Sequence, residues 1–100
     1  MKDFDKIVKE TPCVLVDFFA SWCGPCAAQS SILEHLKPEL DGKVTILKLD
    51  IEKNETLAER FDVRSIPTLL LFKDGNQVWR KTGVQSAKQL LAEINKATTI

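Results

Sequence analysis

The sequence predicts an α/β fold: a central mixed sheet of four strands with helices on both faces. Three observations carry this. Helix-like and strand-like segments follow one another in the order α-β-α-β-α-β-β-α. The first two strand-like segments are apolar at both parities, as in strands covered on two sides. The last two are joined through Asp74-Gly75, a tight-turn dipeptide that closes an antiparallel hairpin. A βαβ unit followed by a ββα unit implies a sheet with both parallel and antiparallel neighbours.

Each element has a local reason. "FDKIVKE" (4–10) has apolar residues at 4, 7 and 8, one face of a short helix, and "TP" at 11–12 stops it. "CVLVDFFA" (13–20) is β-branched and aromatic, a strand. A helix then runs on from Cys26, with Ile32, Leu33, Leu36 and Leu40 on one face. Pro38 falls inside it, and the apolar register continues past it to Leu40, so a kink is expected and not a stop. Gly42 ends the helix. "KVTILKLD" (43–50) is a second two-sided strand, and "NETLAERF" (54–61) a short helix with Asn54 as its expected cap. "PTLLLF" (67–72) and "QVWRKT" (77–82) form the hairpin. Ser86 with Gln89 makes a capping box for "AKQLLAEINKAT" (87–98), whose Leu90, Leu91 and Ile94 face inward.

A chain of 100 residues is expected to form one domain over 1–100, since halves would be too small to bury a core. Apolar residues are 44% and charged residues 28%, an ordinary globular balance without repeats or low-complexity tracts. Fourteen basic and fourteen acidic residues cancel, which favours neither nucleic acid nor an anionic membrane as partner. "MKDFDKIVKE" has no apolar core of signal-peptide length, and no run approaches the ~20 apolar residues of a membrane span. A cytoplasmic location is expected, where thiols are kept reduced. Three cysteines leave one odd and are too few for a disulfide framework.

The chemistry is concentrated in "SWCGPC" (21–26). Two thiols so placed could hold a metal, staple a loop, or exchange electrons with another protein's disulfide. The motif lies between a strand and a helix, so Cys23 sits where backbone N–H groups lack helical partners. Those donors and the helix dipole favour a thiolate there. Cys26 falls one turn in, near enough to close a small disulfide ring. Gly24 relieves crowding in that ring, while Pro25 stiffens it and suits a first helical turn. Cys23 thiolate would attack a target disulfide, and Cys26 would then attack Cys23 and release the reduced target.

Cys26 must lose its proton first, and Asp17 is the candidate acceptor. It interrupts the apolar "VLVDFF", and burial would raise the pKa of its carboxyl towards neutrality. Lys48 interrupts the second strand on the face shared with Val44 and Ile46. On adjacent strands it would face Asp17 and moderate that shift. The plain alternative is that both side chains reach solvent at strand ends.

The segments "VDFFASWCGPC", "KLDIEKN" and "SIPTLLLFKDG" together resemble a thioredoxin over essentially the whole chain. The pairing of "WCGPC" with "IPT" about forty residues on is the specific part. The resemblance implies a thioredoxin-like fold and a protein-disulfide reductase acting through the dithiol. It implies that Pro67 is the family's cis-proline beside the sulfurs, with the Ile66 backbone free to pair with an extended substrate segment. Trp22, Gly24, Pro25, Ile66, Pro67, Gly83 and Val84 match the family's shallow apolar docking surface. It further implies no bound cofactor, with reducing equivalents coming from NADPH through a flavoprotein thioredoxin reductase. Disulfide-containing proteins are the implied substrates.

Four departures stand out. The family's usual first strand has no counterpart, so four strands are expected, with "VTILKLD" on an open edge where a second copy could pair; a monomer is the first expectation. Phe19 stands where tryptophan is usual. Ala27 replaces a basic residue, softening the positive field near Cys26. Ser31 replaces the helix-kinking proline.

Competing readings are weaker. Zinc wants four ligands, and beyond Cys23 and Cys26 only Cys13 and His35 remain, one at a strand start and one on a helix, so no metal site is expected. Cys13 reads as a small buried apolar residue, His35 as part of a solvated helix face, and Trp79 as hairpin packing. A disulfide donor or isomerase is disfavoured because Gly-Pro between the cysteines is the family's reductant pair. A non-catalytic scaffold is disfavoured by the intact dithiol.

Overall fold

The computed structural model describes Met1 and residues 3–99. Eight elements appear in the expected order: α1 (Phe4–Glu10), β1 (Cys13–Phe19), α2 (Gly24–Leu40), β2 (Thr45–Asp50), α3 (Glu55–Arg60), β3 (Thr68–Lys73), β4 (Asn76–Thr82) and α4 (Ala87–Thr98). The strands form one mixed sheet in the order β2-β1-β3-β4. β1 runs parallel to β2 and antiparallel to β3, and β3 pairs antiparallel with β4. This leaves β2 and β4 as the two edges.

Alternation along β1 sends its side chains to two separate cores. Val14, Val16 and Phe18 pack with Leu70 and Phe72 of β3 beneath Phe4 and Val8 of α1 and Leu57 and Ala58 of α3. Cys13 and Leu15 point the other way, packing with Leu69 and Leu71 under Leu33, Leu36 and Leu40 of α2 and Leu90 and Ile94 of α4. β1 is therefore buried at both parities because helices cover both its faces. β2 shows the same apolar composition but is only half covered, with Leu49 alone fully buried, because no strand lies beyond it.

Local chemistry explains the element ends. Asp74 and Gly75 both take positive φ, 50° and 85°, the conformation a two-residue hairpin turn needs and glycine tolerates. Ser86 Oγ accepts from Gln89 N while Gln89 Oε1 accepts from Ser86 N, completing the capping box. α2 continues through Pro38 to Leu40, whose buried side chain anchors the last turn against the second core.

One expectation fails. Asn54 occupies the N-cap position of α3 but makes no side-chain cap. Its Nδ2 donates 3.0 Å to Asp50 O instead, so the amide ties the β2–α3 turn together and leaves the first turn of α3 uncapped by it.

Candidate active site

β1 and α2 together create the site. β1 ends at Phe19, the chain turns through Ala20–Trp22, and Cys23 becomes the N-cap of α2 in extended conformation. Its Sγ accepts a hydrogen bond from Cys26 N at 3.2 Å, one of the backbone donors that a helix start leaves without an internal partner. Gly24 and Pro25 form the exposed first turn, where proline's missing N–H removes nothing. The cysteines are bonded to each other, with Cα atoms 5.2 Å apart. Both are buried, with Ala20 packed alongside and Ile66 and Phe19 partly covering them. Cys23 Sγ is thus held where a negative charge would meet a backbone donor and the positive end of a helix.

Two other segments frame the pair, 65–68 against Cys23 and 83–84 bonded in turn to 65–68. The Ile66–Pro67 bond is cis, and Cys23 Sγ lies 3.9 Å from Ile66 O. Thr68 Oγ1 donates to Ser65 O at 2.6 Å, fixing the approach to β3. Gly83, at φ 93°, donates its N–H to Pro67 O at 2.8 Å, and Val84 beyond it is 41% exposed. Trp22 is 68% exposed and donates Nε1 to Glu52 Oε1 at 3.2 Å. Trp22 and Val84 are thus both large apolar side chains left exposed.

Two residues before the end of β1, Asp17 is fully buried at 0% exposure, and neither carboxylate oxygen has a hydrogen-bond partner. Burial pushes its pKa up to about 6, and the Lys48 charge acts against that rise. Asp17 and Lys48 are paired in the β1–β2 register, on the same face of the sheet. Lys48 itself is exposed. Its Nζ lies 4.9 Å over the Phe19 ring and donates to Ser30 Oγ on α2. Lys48, Ser30, Phe19, Cys23 and Cys26 line one shallow cavity of about 180 Å³.

Residues 1–96 match the thioredoxin family model. The chain belongs to the thioredoxin family. It is 48% identical over 92 residues to a thioredoxin of Staphylococcus epidermidis, covering 92% of this chain and 86% of that one. A Rickettsia felis thioredoxin is 46% identical over 84 residues, covering 84% and 80%. Among solved structures, a mutant thioredoxin from Halobacterium salinarum superposes with a TM-score of 0.90 at 35% identity, covering 100% of this chain and 87% of that one. Oxidised mitochondrial thioredoxin 3 of Saccharomyces cerevisiae superposes at 0.86 with 27% identity, covering 95% and 88%.

A thioredoxin with its two thiols at bonding distance is a thiol-disulfide oxidoreductase, and the family reduces disulfide substrates and is served by thioredoxin reductase. Among the described residues, no helix is long and apolar enough to cross a membrane, and no group of three or more His, Cys, Asp and Glu could hold a metal ion. Cys13 is buried in the α2–α4 core, and burial pushes its thiol pKa up. His35 lies on the exposed side of α2 within 2.9 Å of Ser31 O.

Sequence reasoning missed three members of this region. Glu52 and Ser30 gave no pattern signal, being ordinary polar residues whose partners lie far along the chain. Gln29 did carry one. It falls on the buried stripe Cys26, Gln29, Leu33, Leu36, Leu40 and is the only amide in it, just as Asp17 is the only carboxylate in β1.

Proposed function

We propose that this thioredoxin reduces disulfides in other proteins, with Cys23 attacking and Cys26 resolving. The observation that carries the assignment of roles is the Cys26 N–H pointing at Cys23 Sγ from the first turn of α2. In the dithiol form that donor stabilises a thiolate at Cys23, while Cys26, deeper and without such a donor, keeps its proton. Cys23 thiolate attacks one sulfur of the target disulfide, and the target's other sulfur leaves as a thiolate and takes up a proton. Cys26 then gives its proton towards Asp17, attacks Cys23 Sγ and forms the bond seen here. The second target sulfur departs and is protonated in turn. Two electrons pass to the target and the dithiol becomes the disulfide.

Asp17 suits the acceptor role because burial brings its pKa near neutrality. Lys48 restrains that rise and borders the cavity that Cys26 also lines. Substrate docks over Trp22, Gly24, Pro25, Ile66, Pro67, Gly83 and Val84, with the Ile66 backbone pairing with an extended segment. No cofactor is bound in this reading. NADPH supplies the electrons through thioredoxin reductase, and the chain acts in the cytoplasm as one domain over residues 1–100. A monomer is expected; the open edge of β2 is where a second copy would add, and a dimer in size exclusion at high concentration would favour that arrangement.

The deciding measurement is the equilibrium of the dithiol against a glutathione buffer, paired with dithiothreitol-driven reduction of insulin. A pair that stays oxidised in a reducing glutathione mixture, with insulin reduced at catalytic rates, supports the reductase. A pair that stays reduced while oxidising glutathione is present makes it a disulfide donor instead.

A further inference from the structure

Gln29 sits in α2 one turn beyond Cys26 and is 0% exposed. A buried amide left without partners costs its full desolvation, so its contacts define its role. It finds both on one residue of a distant segment. Gln29 Nε2 donates to Gln85 O at 3.1 Å, and Gln29 Oε1 accepts from Gln85 N at 2.6 Å. Two bonds from one planar amide fix the orientation of the Gln85 backbone as well as its distance.

Gln85 passes the restraint on. Its Nε2 donates to Gly83 O at 3.0 Å, and Gly83 N donates to Pro67 O at 2.8 Å. Ile66 O in turn lies against Cys23 Sγ. The contacts close a ring from Cys26 through α2 to Gln29, Gln85, Gly83 and the cis-proline, and back to Cys23. α2 and α4 are already packed together by Leu33, Leu36, Leu90 and Ile94, so an apolar side chain would serve at position 29 if burial were its only task.

We propose that Gln29 is a positioning residue for protein substrates: its amide clamps the Gly83–Gln85 segment to the cysteine-bearing helix, presenting Val84 at a fixed height beside the dithiol. This rests on the docking surface assigned under Proposed function. The clamp governs encounter with a folded partner that must touch Val84 and the Pro67 region together. It does not govern the chemistry of the sulfurs.

The test is Gln29→Met, which keeps length and burial and removes both bonds. Insulin reduction is compared with reduction of a small aromatic disulfide that needs no docking surface, and amide exchange is followed at Gly83 and Gln85. The expected result is a KM for insulin raised roughly threefold to tenfold, faster exchange at both amides, and kcat and the small-disulfide rate within about twofold. Gln85→Ala raises KM less, and the double variant raises it no further than Gln29→Met alone, because the links act in series. An unchanged KM, equal losses on both substrates, or additive effects in the double variant overturn the clamp. Should Gln29→Met not fold, Gln29→Leu, which also removes both bonds, takes its place, and an unchanged insulin KM there overturns the clamp. Val84→Asp separates the two readings: a raised KM there with a normal Gln29→Met leaves the docking surface and removes the clamp. No effect of Val84→Asp removes the docking surface, and the clamp's role with it.

Discussion

Asp17 and Lys48 stand opposite each other on adjacent parallel strands, yet the buried carboxylate accepts no hydrogen bond from the amine. Lys48 reaches instead over Phe19 to Ser30. Asp17 is therefore dominated by the loss of water around it, with Lys48 acting only through space. A carboxylate so placed destabilises the fold whenever it is ionised.

The first prediction concerns stability. The folded-state pKa of Asp17, about 6, lies above its ordinary 3.8, so the folded protein holds the proton more tightly. Its contribution is most favourable below about pH 4 and is lost as pH rises through about 6. A difference of about two pKa units corresponds to about 3 kcal/mol. Asp17→Asn is expected to gain a stabilisation of that order over the parent at pH 8 in urea unfolding, and much less at pH 3.5. Equal gains at both pH values would mean that ionisation of Asp17 is not the cause.

The same carboxylate is expected to set the pace of the second chemical step. A mixed disulfide formed on Cys23 should be resolved by Cys26 roughly tenfold or more slowly in Asp17→Asn at pH 7. At pH 5 the parent's Asp17 is mostly protonated, so the gap should narrow. Rapid-quench measurement of the released thiol checks both, and identical rates at pH 7 would take Asp17 out of the mechanism.

Lys48→Met removes the one charge that works against the rise in the Asp17 pKa. The carboxyl titration, followed by carbon NMR, should move to higher pH, and the pH profile of resolution should move with it. A titration that stays in place would show that Lys48 is too well solvated to act on Asp17.

Cys26→Ser should leave Cys23 able to attack and nothing able to finish. Stable mixed disulfides with target proteins, lost on adding Cys23→Ser, are expected on non-reducing gels. Trapping through Cys13 instead would reverse the assignment, although its burial and raised pKa argue for inertness.

The last prediction tests the fold alone. Ser86→Ala removes the acceptor for Gln89 N and breaks the capping box of α4, with an expected loss of about 1 kcal/mol in unfolding free energy. A loss near zero would show that packing of Leu90 and Ile94 holds this helix end by itself.

Much of the site is legible in the sequence. Cys23 and Cys26 announce themselves by spacing and by the strand-to-helix position, because the start of a helix supplies donors wherever it occurs. Asp17 is legible as a carboxylate in an otherwise apolar strand, and the hairpin as Asp-Gly between two such strands. Asn54 departs from the expected cap because cap preference is local, whereas Asp50 O, the acceptor that takes its amide, is presented by the turn out of β2. Gln29 broke an apolar stripe, a visible sign, but its partner lies 56 residues away.

Which residues can carry the chemistry, and in what order the elements follow, is written locally along the chain, since periodicity, capping and turn formation act between near neighbours. Tertiary structure alone decided what each buried polar group meets. It left the Asp17 oxygens without a donor, sent Lys48 to Ser30, and joined Gln29 to Gln85. Those outcomes depend on strand register and helix placement, which the whole core sets together and no short stretch encodes.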